Sequence, residues 1–112
     1  MTRDLVVSTR PAGAALVVSA SGEVDILSAP KLSTALSEAL ATGSEVVVVD
    51  LSEVGFFGSA GLSVLVETLA AVTAQQLRVV ASPQVQRPIE LTGLDAMLDL
   101  YGTLPEALAD GG

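Results

Sequence analysis

Four consecutive valines, at residues 46–49, restrict the fold of this 112-residue chain more than any other feature. A β-branched run without polar alternation predicts a strand that is covered on both faces, as in the centre of an α/β sheet. Asp50 is expected to end this strand. After a short loop, Ser59 precedes apolar residues at spacings of three and four, which predicts a helix beginning at the serine.

The segments before this unit predict a hairpin and a helix. Short β-prone runs at residues 5–9 and 15–20 indicate two strands joined by a longer loop, and residues 22–25 should lead away from the second strand. Ser28 then has the position of an N-cap, and Gly43 would end the first helix in a left-handed conformation.

The segments after the central unit predict a third strand at residues 77–81 and a third helix. Pro88 would remove a backbone donor from a helix that had already run for more than a turn, so this helix should start near Gln86 and end at Gly93. Residues 97–101 are compatible with a short edge strand or an irregular connection. Strands that alternate with helices predict parallel neighbours, so with the opening hairpin the sheet should be mixed.

The C-terminal residues predict a short last helix. Thr103 and Glu106 have the spacing of a capping box, and the helix should run through about Ala109. Residues 110–112 should fray. Since the chain shows no internal repeat or linker, residues 1–112 are expected to form one domain that buries roughly two-thirds of the surface of its unfolded chain.

The composition argues against several classes of function. Thirteen acidic and five basic residues give a formal net charge of −8, which would repel a nucleic-acid backbone. Zero cysteines exclude disulfides and thiolate metal sites. No run approaches the ~18 apolar residues of a membrane span, and the first residues lack a secretory signal. We therefore expect a cytoplasmic protein without membrane insertion or direct nucleic-acid binding.

Ser59 is the candidate site residue, and its role could be catalytic, structural or regulatory. A Ser-His-acid triad is impossible because the chain has no histidine, and Phe57 stands where a nucleophile elbow needs glycine. We expect neither enzymatic activity nor a cofactor. As an N-cap, the hydroxyl would stabilise the helix by about 1 kcal/mol. A phosphate on the same oxygen would meet the positive end of the helix dipole.

The residues beside Ser59 provide further candidates. Phe56 and Phe57, the only phenylalanines, are adjacent. Either both rings lie under the loop, or one anchors the core while the other is an exposed interface anchor. Gly61 is expected to permit close backbone packing or the approach of a partner.

Several segments carry a resemblance to a known family. They are Asp50-Leu51-Ser52-Glu53-Val54, Phe56, Ser59-Ala60-Gly61-Leu62, Gly22-Glu23-Val24-Asp25, and the stretch from Leu91 through Tyr101. With them the sequence resembles STAS domains of the anti-sigma factor antagonist family over nearly its whole length. The resemblance implies the α/β fold of that family, a mixed sheet of four to five strands that starts with a hairpin and packs with about four helices.

The resemblance implies a protein-binding switch in bacteria. The unmodified antagonists of this family bind an anti-sigma factor, often a serine kinase that carries ATP, and so free a sigma factor for transcription. The kinase phosphorylates a serine that corresponds to Ser59, and a phosphatase reverses the reaction. The resemblance also implies that Asp25 takes part in the partner surface. We expect the whole surface to comprise Asp25, Phe56, Phe57, Gly58, Ser59, Ala60 and Gly61, with the exposed face of the second helix. For Asp25, a role in a turn is the alternative.

Two positions depart from the family pattern. Many members carry aspartate where this chain has Gly58, and a serine or threonine where it has Ala60. Without the carboxylate, the loop loses an acceptor and a negative charge beside Ser59, and glycine makes it more flexible. An alternative function with the same fold is an accessory STAS subunit of a membrane transport ATPase.

Overall fold

The computed structural model describes residues 4–109, which form a five-stranded sheet and four α-helices. Sheet order equals chain order, with β1 antiparallel to β2 and parallel pairing from β2 to β5. The predicted mixed α/β fold is therefore confirmed. The elements are β1 Val6–Ala12, β2 Ala15–Val24, α1 Ala29–Ala41, β3 Val46–Phe57, α2 Ser59–Ala71, β4 Gln76–Ala81, α3 Pro83–Leu91, a 3-10 turn Leu94–Ala96, β5 Asp99–Tyr101 and α4 Leu104–Ala109.

The valine run lies at the centre of the sheet and is covered on both faces, as predicted. Val47 and Val49 belong to the main core, together with apolar residues of α1, α2 and α3. Val48 belongs to a smaller cluster on the other face, which α4 covers through Ala107. Each fully buried valine stabilises the fold by about 1.5–3 kcal/mol.

β3 continues past Asp50, so the prediction that this residue ends the strand is wrong. Asp50 pairs with residues on both neighbouring strands, and its carboxylate accepts hydrogen bonds from the Ser52 N–H at 3.1 Å and hydroxyl at 2.7 Å. Beyond Leu51, β3 pairs with β2 alone, through two register shifts that accommodate extra residues of β3. Phe56 and Phe57 are therefore strand residues and not loop residues.

The opening hairpin is tighter than predicted. Ala12 pairs with Ala15, so Gly13 and Ala14 connect the strands instead of a longer loop. Gly13 has a φ of 63°, which glycine adopts without a steric penalty. β2 also includes residues 22–24, where we expected the chain to leave the sheet. Because of this extension, β2 ends at the same edge of the sheet as β3.

α3 starts at Pro83 and not near Gln86, so this predicted boundary is also wrong. Pro83 lies in the first turn, where a backbone N–H would have no acceptor within the helix, so proline costs no hydrogen bond there. The Ser82 carbonyl accepts the Gln86 N–H at 2.8 Å. Pro88 lies inside the nine-residue helix. It removes one hydrogen bond there, and the burial of Val85 and Ile89 in the main core compensates for that loss.

The C-terminal ends of α1 and α3 and the start of α4 agree with the sequence. Gly43 and Gly93 have φ angles of 78° and 79° after α1 and α3. The Thr103 hydroxyl oxygen accepts the Glu106 N–H at 3.3 Å, which is one of the two bonds of the predicted capping box, and the hydroxyl donates to the Glu106 carboxylate at 3.0 Å. No helix within residues 4–109 has the length and hydropathy of a membrane span.

The C-terminal region resolves the choice that the sequence left open. Asp99–Tyr101 forms β5, a short edge strand that pairs with β4. Residues 97 and 98 connect it to the preceding 3-10 turn. The predicted fraying at residues 110–112 lies outside the described residues.

Candidate functional site

The register between β2 and β3 brings the two predicted site segments together. Val24 pairs with Phe57 in the parallel ladder, and the Gly58 N–H donates to the Val24 carbonyl at 3.0 Å. Asp25 therefore follows β2 at the place where Ser59 follows β3. Ligands of α/β folds commonly bind at such carboxyl edges of parallel strands.

An open groove of about 680 Å³, here called the α1–α2 groove, lies at this edge. Its walls are the turn after β2, the first turns of α1, the end of β3 and the part of α2 that reaches Glu67. Its lining includes five predicted partner-binding residues: Asp25, Phe56, Gly58, Ser59 and Ala60. Because its charged side chains are those of Asp25 and Glu67, the groove is negative.

The two phenylalanines differ in burial although they are neighbours in β3. Phe57 is 4% exposed and packs in the main core, whereas Phe56 is 52% exposed and lines the α1–α2 groove. Alternation of side chains along a strand produces this difference between neighbours. The structure thus selects the arrangement in which one ring anchors the core and the other is available at the surface.

Two glycines make room for these rings. A Cβ on Gly61 would lie 2.7 Å from a ring carbon of Phe57, so only glycine allows α2 to approach this closely. A Cβ on Gly58 would lie 3.1 Å from the exposed ring of Phe56. Gly61 and Phe57 are buried and support the groove from below instead of lining it.

Ser59 is not the N-cap of α2, so that prediction is wrong. Gly58 is the N-cap, with an extended backbone (φ −86°, ψ −173°), and its carbonyl accepts the N–H groups of Gly61 and Leu62 at 3.0 and 3.2 Å. Ser59 is the first helical residue and is exposed. No described side chain caps α2. The Ser59 hydroxyl therefore lies at the positive end of the helix dipole without serving as its cap.

Asp25 organises the turn that links β2 to α1. Its Oδ1 accepts hydrogen bonds from the N–H groups of Leu27 and Ser28 at 3.0 and 2.9 Å. The Ser28 hydroxyl lies 3.1 Å from the same oxygen, donates to the Glu23 carbonyl at 2.8 Å and accepts the Asp25 N–H at 2.9 Å. The Ser28 N–H, followed by the Ser28 hydroxyl and the Leu27 N–H, lowers the pKa of the Asp25 carboxyl.

Ser28 occupies the predicted N-cap position, but within the described residues its side chain does not cap α1. Its hydroxyl completes the turn instead. The Asp25 carboxylate fixes the turn, as the structural alternative predicted, and Asp25 also lines the groove. Its role in a partner surface stays a prediction.

Sequence reasoning missed the two residues that this turn displays. Ile26 is 80% exposed and lines the groove, and Leu27 beside it is 88% exposed. Turns usually carry polar residues. A signal for Ile26 and Leu27 was present in the sequence. The two aliphatic residues lie between Asp25 and a predicted N-cap, and they fit neither a strand period nor a helix period.

The groove combines an exposed hydroxyl with apolar walls and two carboxylates. The chain contains no histidine. Glu67 is eight residues from Ser59 along α2, about 12 Å at 1.5 Å per residue, too far for a general base. Within residues 4–109, no cluster of three or more carboxylates could hold a metal ion. The exposed hydroxyl can accept a group from another protein, and the apolar walls can be covered by one.

Comparison with known proteins identifies relatives over most of the chain. The sequence model of the family described as "Mlab, STAS domain" matches residues 7–100. The anti-sigma-F factor antagonist RsfB of Mycobacterium tuberculosis is 40% identical over 94 residues, which make up 82% of this chain and 77% of RsfB.

Solved structures show the same fold. The crystal structure of an anti-sigma factor antagonist from Mycobacterium paratuberculosis is 39% identical, with a TM-score of 0.90 over 94% of this chain and 92% of that one. The phosphorylated form of SpoIIAA, a Bacillus cell fate determinant, has 18% identity and a TM-score of 0.65 over 92% of this chain and 96% of that one. At this identity the likeness to SpoIIAA concerns the fold alone.

Proposed function

This chain belongs to the STAS domain family, and we propose that it is an anti-sigma factor antagonist. In this proposal the chain is a single STAS domain that binds an anti-sigma factor and so releases a sigma factor. The observation that carries the proposal is the 40% identity to RsfB across 82% of the chain. The match to the Mycobacterium paratuberculosis antagonist adds agreement in structure, with a TM-score of 0.90.

The proposed partner surface is the α1–α2 groove together with the outer face of α2. Glu67 is the only charged residue of this 13-residue helix, and the residues on its exposed face include Val66 and Ala70. A helix that is apolar around most of its circumference is normally buried. Burial of the outer face of α2 by a partner would account for this composition.

Within this surface we assign direct contacts to Asp25, Phe56, Gly58, Ser59 and Ala60. They line one groove, and Phe56 presents a half-exposed ring that could fill a pocket on the partner. Phe57 and Gly61 act from beneath, by fixing the approach of α2 to the end of β3.

Ser59 is the proposed phosphorylation site, with a serine-kinase type of anti-sigma factor as the kinase, its ATP bound to that partner, and a phosphatase as the reversing enzyme. A phosphate at the start of α2 would be stabilised by the helix dipole, by about 0.3–1 kcal/mol. It would add a charge of about −1.5 to −2 to a groove that already contains two carboxylates. The domain would keep its fold, and the docked partner would be repelled.

The first experiment measures binding to purified anti-sigma factors of the host bacterium by isothermal titration calorimetry. We expect Ser59→Ala to bind like the wild type and Ser59→Glu to bind at least about tenfold more weakly. Ser37→Glu is the matched control, because Ser37 is exposed on α1 and lies outside the groove lining. Equal weakening by both glutamates would show a general charge effect and contradict a role for the groove.

The second experiment incubates the chain with the partner and ATP and maps phosphate by mass spectrometry. Modification at Ser59 that disappears in Ser59→Ala would support the proposed switch. Phosphate that persists in Ser59→Ala would place the modification elsewhere, for example on Ser63 in the same groove. Co-purification with an ATP-binding transport subunit in place of an anti-sigma factor would favour the alternative function.

A further inference from the structure

The turn between β2 and α1 displays more apolar surface than folding requires. Leu27 and Ile26 are the two most exposed of the large hydrophobic residues in the described part of the chain, at 88% and 80%. Single exposed aliphatic residues are common and need no explanation. Here two are adjacent, and Ile26 shares the α1–α2 groove with the half-exposed ring of Phe56. Ile26 and Phe56 thus line the groove together, and Leu27, the next residue of the turn, adds exposed apolar surface. These three residues are here called the apolar patch.

The backbone beneath this patch is held in one conformation. The Asp25 carboxylate accepts two backbone N–H groups of the turn, and the Asp25 carbonyl accepts the Ala29 N–H at 2.8 Å. The Ser28 hydroxyl ties the turn to the Glu23 carbonyl. Binding through a turn that is already ordered avoids the entropy cost of ordering it in the complex.

We infer that Ile26 and Leu27 are the specificity-determining anchors of the partner interface, and that Asp25 positions them. This inference rests on the proposed function, because it assigns the two side chains to the same anti-sigma factor. It extends the interface beyond the groove lining to Leu27. The recognised element is then the shape of an apolar turn, in addition to the Ser59 hydroxyl.

The charge around the patch specifies the partner surface that would accept it. Asp25 and Glu67 are the charged residues of the adjoining groove, and the chain carries a net charge of −8. The complementary surface is an apolar pocket of the anti-sigma factor with Arg or Lys side chains at its rim. A partner with an acidic rim would be rejected by like-charge repulsion.

The test compares Ile26→Ser, Leu27→Ser and the double variant with the wild type, using the anti-sigma factor that binds in calorimetry. We expect each single change to weaken binding about tenfold and the pair about a hundredfold. Leu91→Ser is the matched control, because Leu91 is 76% exposed on α3 and lies outside the groove lining. It should bind like the wild type. Chemical denaturation should give all four variants the wild-type stability.

The failures of the two proposals are distinguishable. If the wild type binds and the double variant binds within about threefold of it, the anchors are wrong while the proposed function stands. If the wild type binds no anti-sigma factor, both are wrong. Two further outcomes would overturn the inference. If the wild type sediments with phosphatidylglycerol–phosphatidylcholine vesicles and the double variant does not, the two side chains bind a lipid surface. If the wild type is a homodimer and the double variant is a monomer, they bind a second copy of the chain.

Discussion

The two ends of α1 carry turns that are built alike but expose different side chains. At the groove end, the Asp25 carboxylate and Ser28 hydroxyl hold the turn. At the other end, the Thr42 hydroxyl donates to the Ala39 carbonyl at 2.7 Å and its oxygen accepts the Ser44 N–H at 3.3 Å.

What differs is the content of the two turns. The groove end exposes Ile26 and Leu27, whereas the opposite end presents Thr42 and Gly43. Side-chain hydrogen bonds thus account for order at both ends of the helix. Only the apolar side chains distinguish an end that a partner could cover from an end that the solvent covers.

The largest expected effect concerns two glycines, Gly61 in α2 below the groove and Gly43 in the turn at the opposite end of α1. Gly61→Ala should lower the free energy of unfolding by about 1–3 kcal/mol, because the added Cβ would lie 2.7 Å from the Phe57 ring. This steric clash outweighs the better helix propensity of alanine. Gly43→Ala should cost about 1 kcal/mol through its φ of 78° alone, since a Cβ there meets none of the described residues within 4 Å. Denaturant titration measures both.

A double-mutant cycle separates these two causes. Phe57→Leu should recover part of the loss in Gly61→Ala, because the smaller side chain relieves the clash, and none of the loss in Gly43→Ala. Strict additivity of Phe57→Leu with Gly61→Ala would show that the ring contact is not the reason for glycine at this position.

A smaller effect should distinguish the turns by function. Asp25→Ala and Thr42→Ala each remove the acceptor that holds a turn, so both should lower stability, by less than Gly61→Ala does. Only Asp25→Ala should weaken partner binding several-fold, because only its turn carries the anchors. Calorimetry with the anti-sigma factor provides the measurement. Asp25→Asn, which keeps an oxygen at Oδ1 but removes the charge, should recover the part of the affinity that depends on the turn. A loss as large as in Asp25→Ala would contradict the positioning role, because the charge alone would then account for the effect.

The smallest effect is a dependence on pH. The turn lowers the pKa of Asp25 relative to the unfolded chain. The ionised carboxylate therefore contributes fully to the free energy of unfolding above the unfolded pKa of about 3.9. This contribution is lost as the pH falls through the folded pKa. NMR titration of the Leu27 and Ser28 amides should show a midpoint below that value. Asp25→Asn should abolish the transition. A midpoint at or above 3.9 in the wild type would contradict the role of these hydrogen bonds.

The fold class followed from periodic features of the sequence, and the errors arose where pairing between distant segments overrode local signals. Asp50 is a poor strand residue by itself, but its pairing with two strands and its bonds to Ser52 keep it in β3. Pro88 is a poor helix residue, and the burial of Ile89 beside it outweighs the lost hydrogen bond. Neither compensation can be read from nearby residues.

The candidate site was predicted in position more than in detail. Serine is a better N-cap than glycine by propensity, yet the packing of Phe56 and Phe57 around residues 58–61 places Gly58 at the cap and Ser59 inside the helix. Ile26 and Leu27 were missed because exposure depends on what the fold leaves uncovered. Ser59 followed from its position before an apolar helix period, and the family resemblance supplied Asp25 and the expected switch.

The agreement between strand order and chain order has a consequence for the synthesis of the protein. From β2 onward, each strand that leaves the ribosome pairs with a strand that has already emerged. Such a sheet can extend one strand at a time without waiting for the C-terminus, and each newly added strand remains an unpaired edge until the next strand joins it. The groove segments at residues 25–28 and 56–61 precede β4, so the binding surface can assemble while the last strands are still being translated.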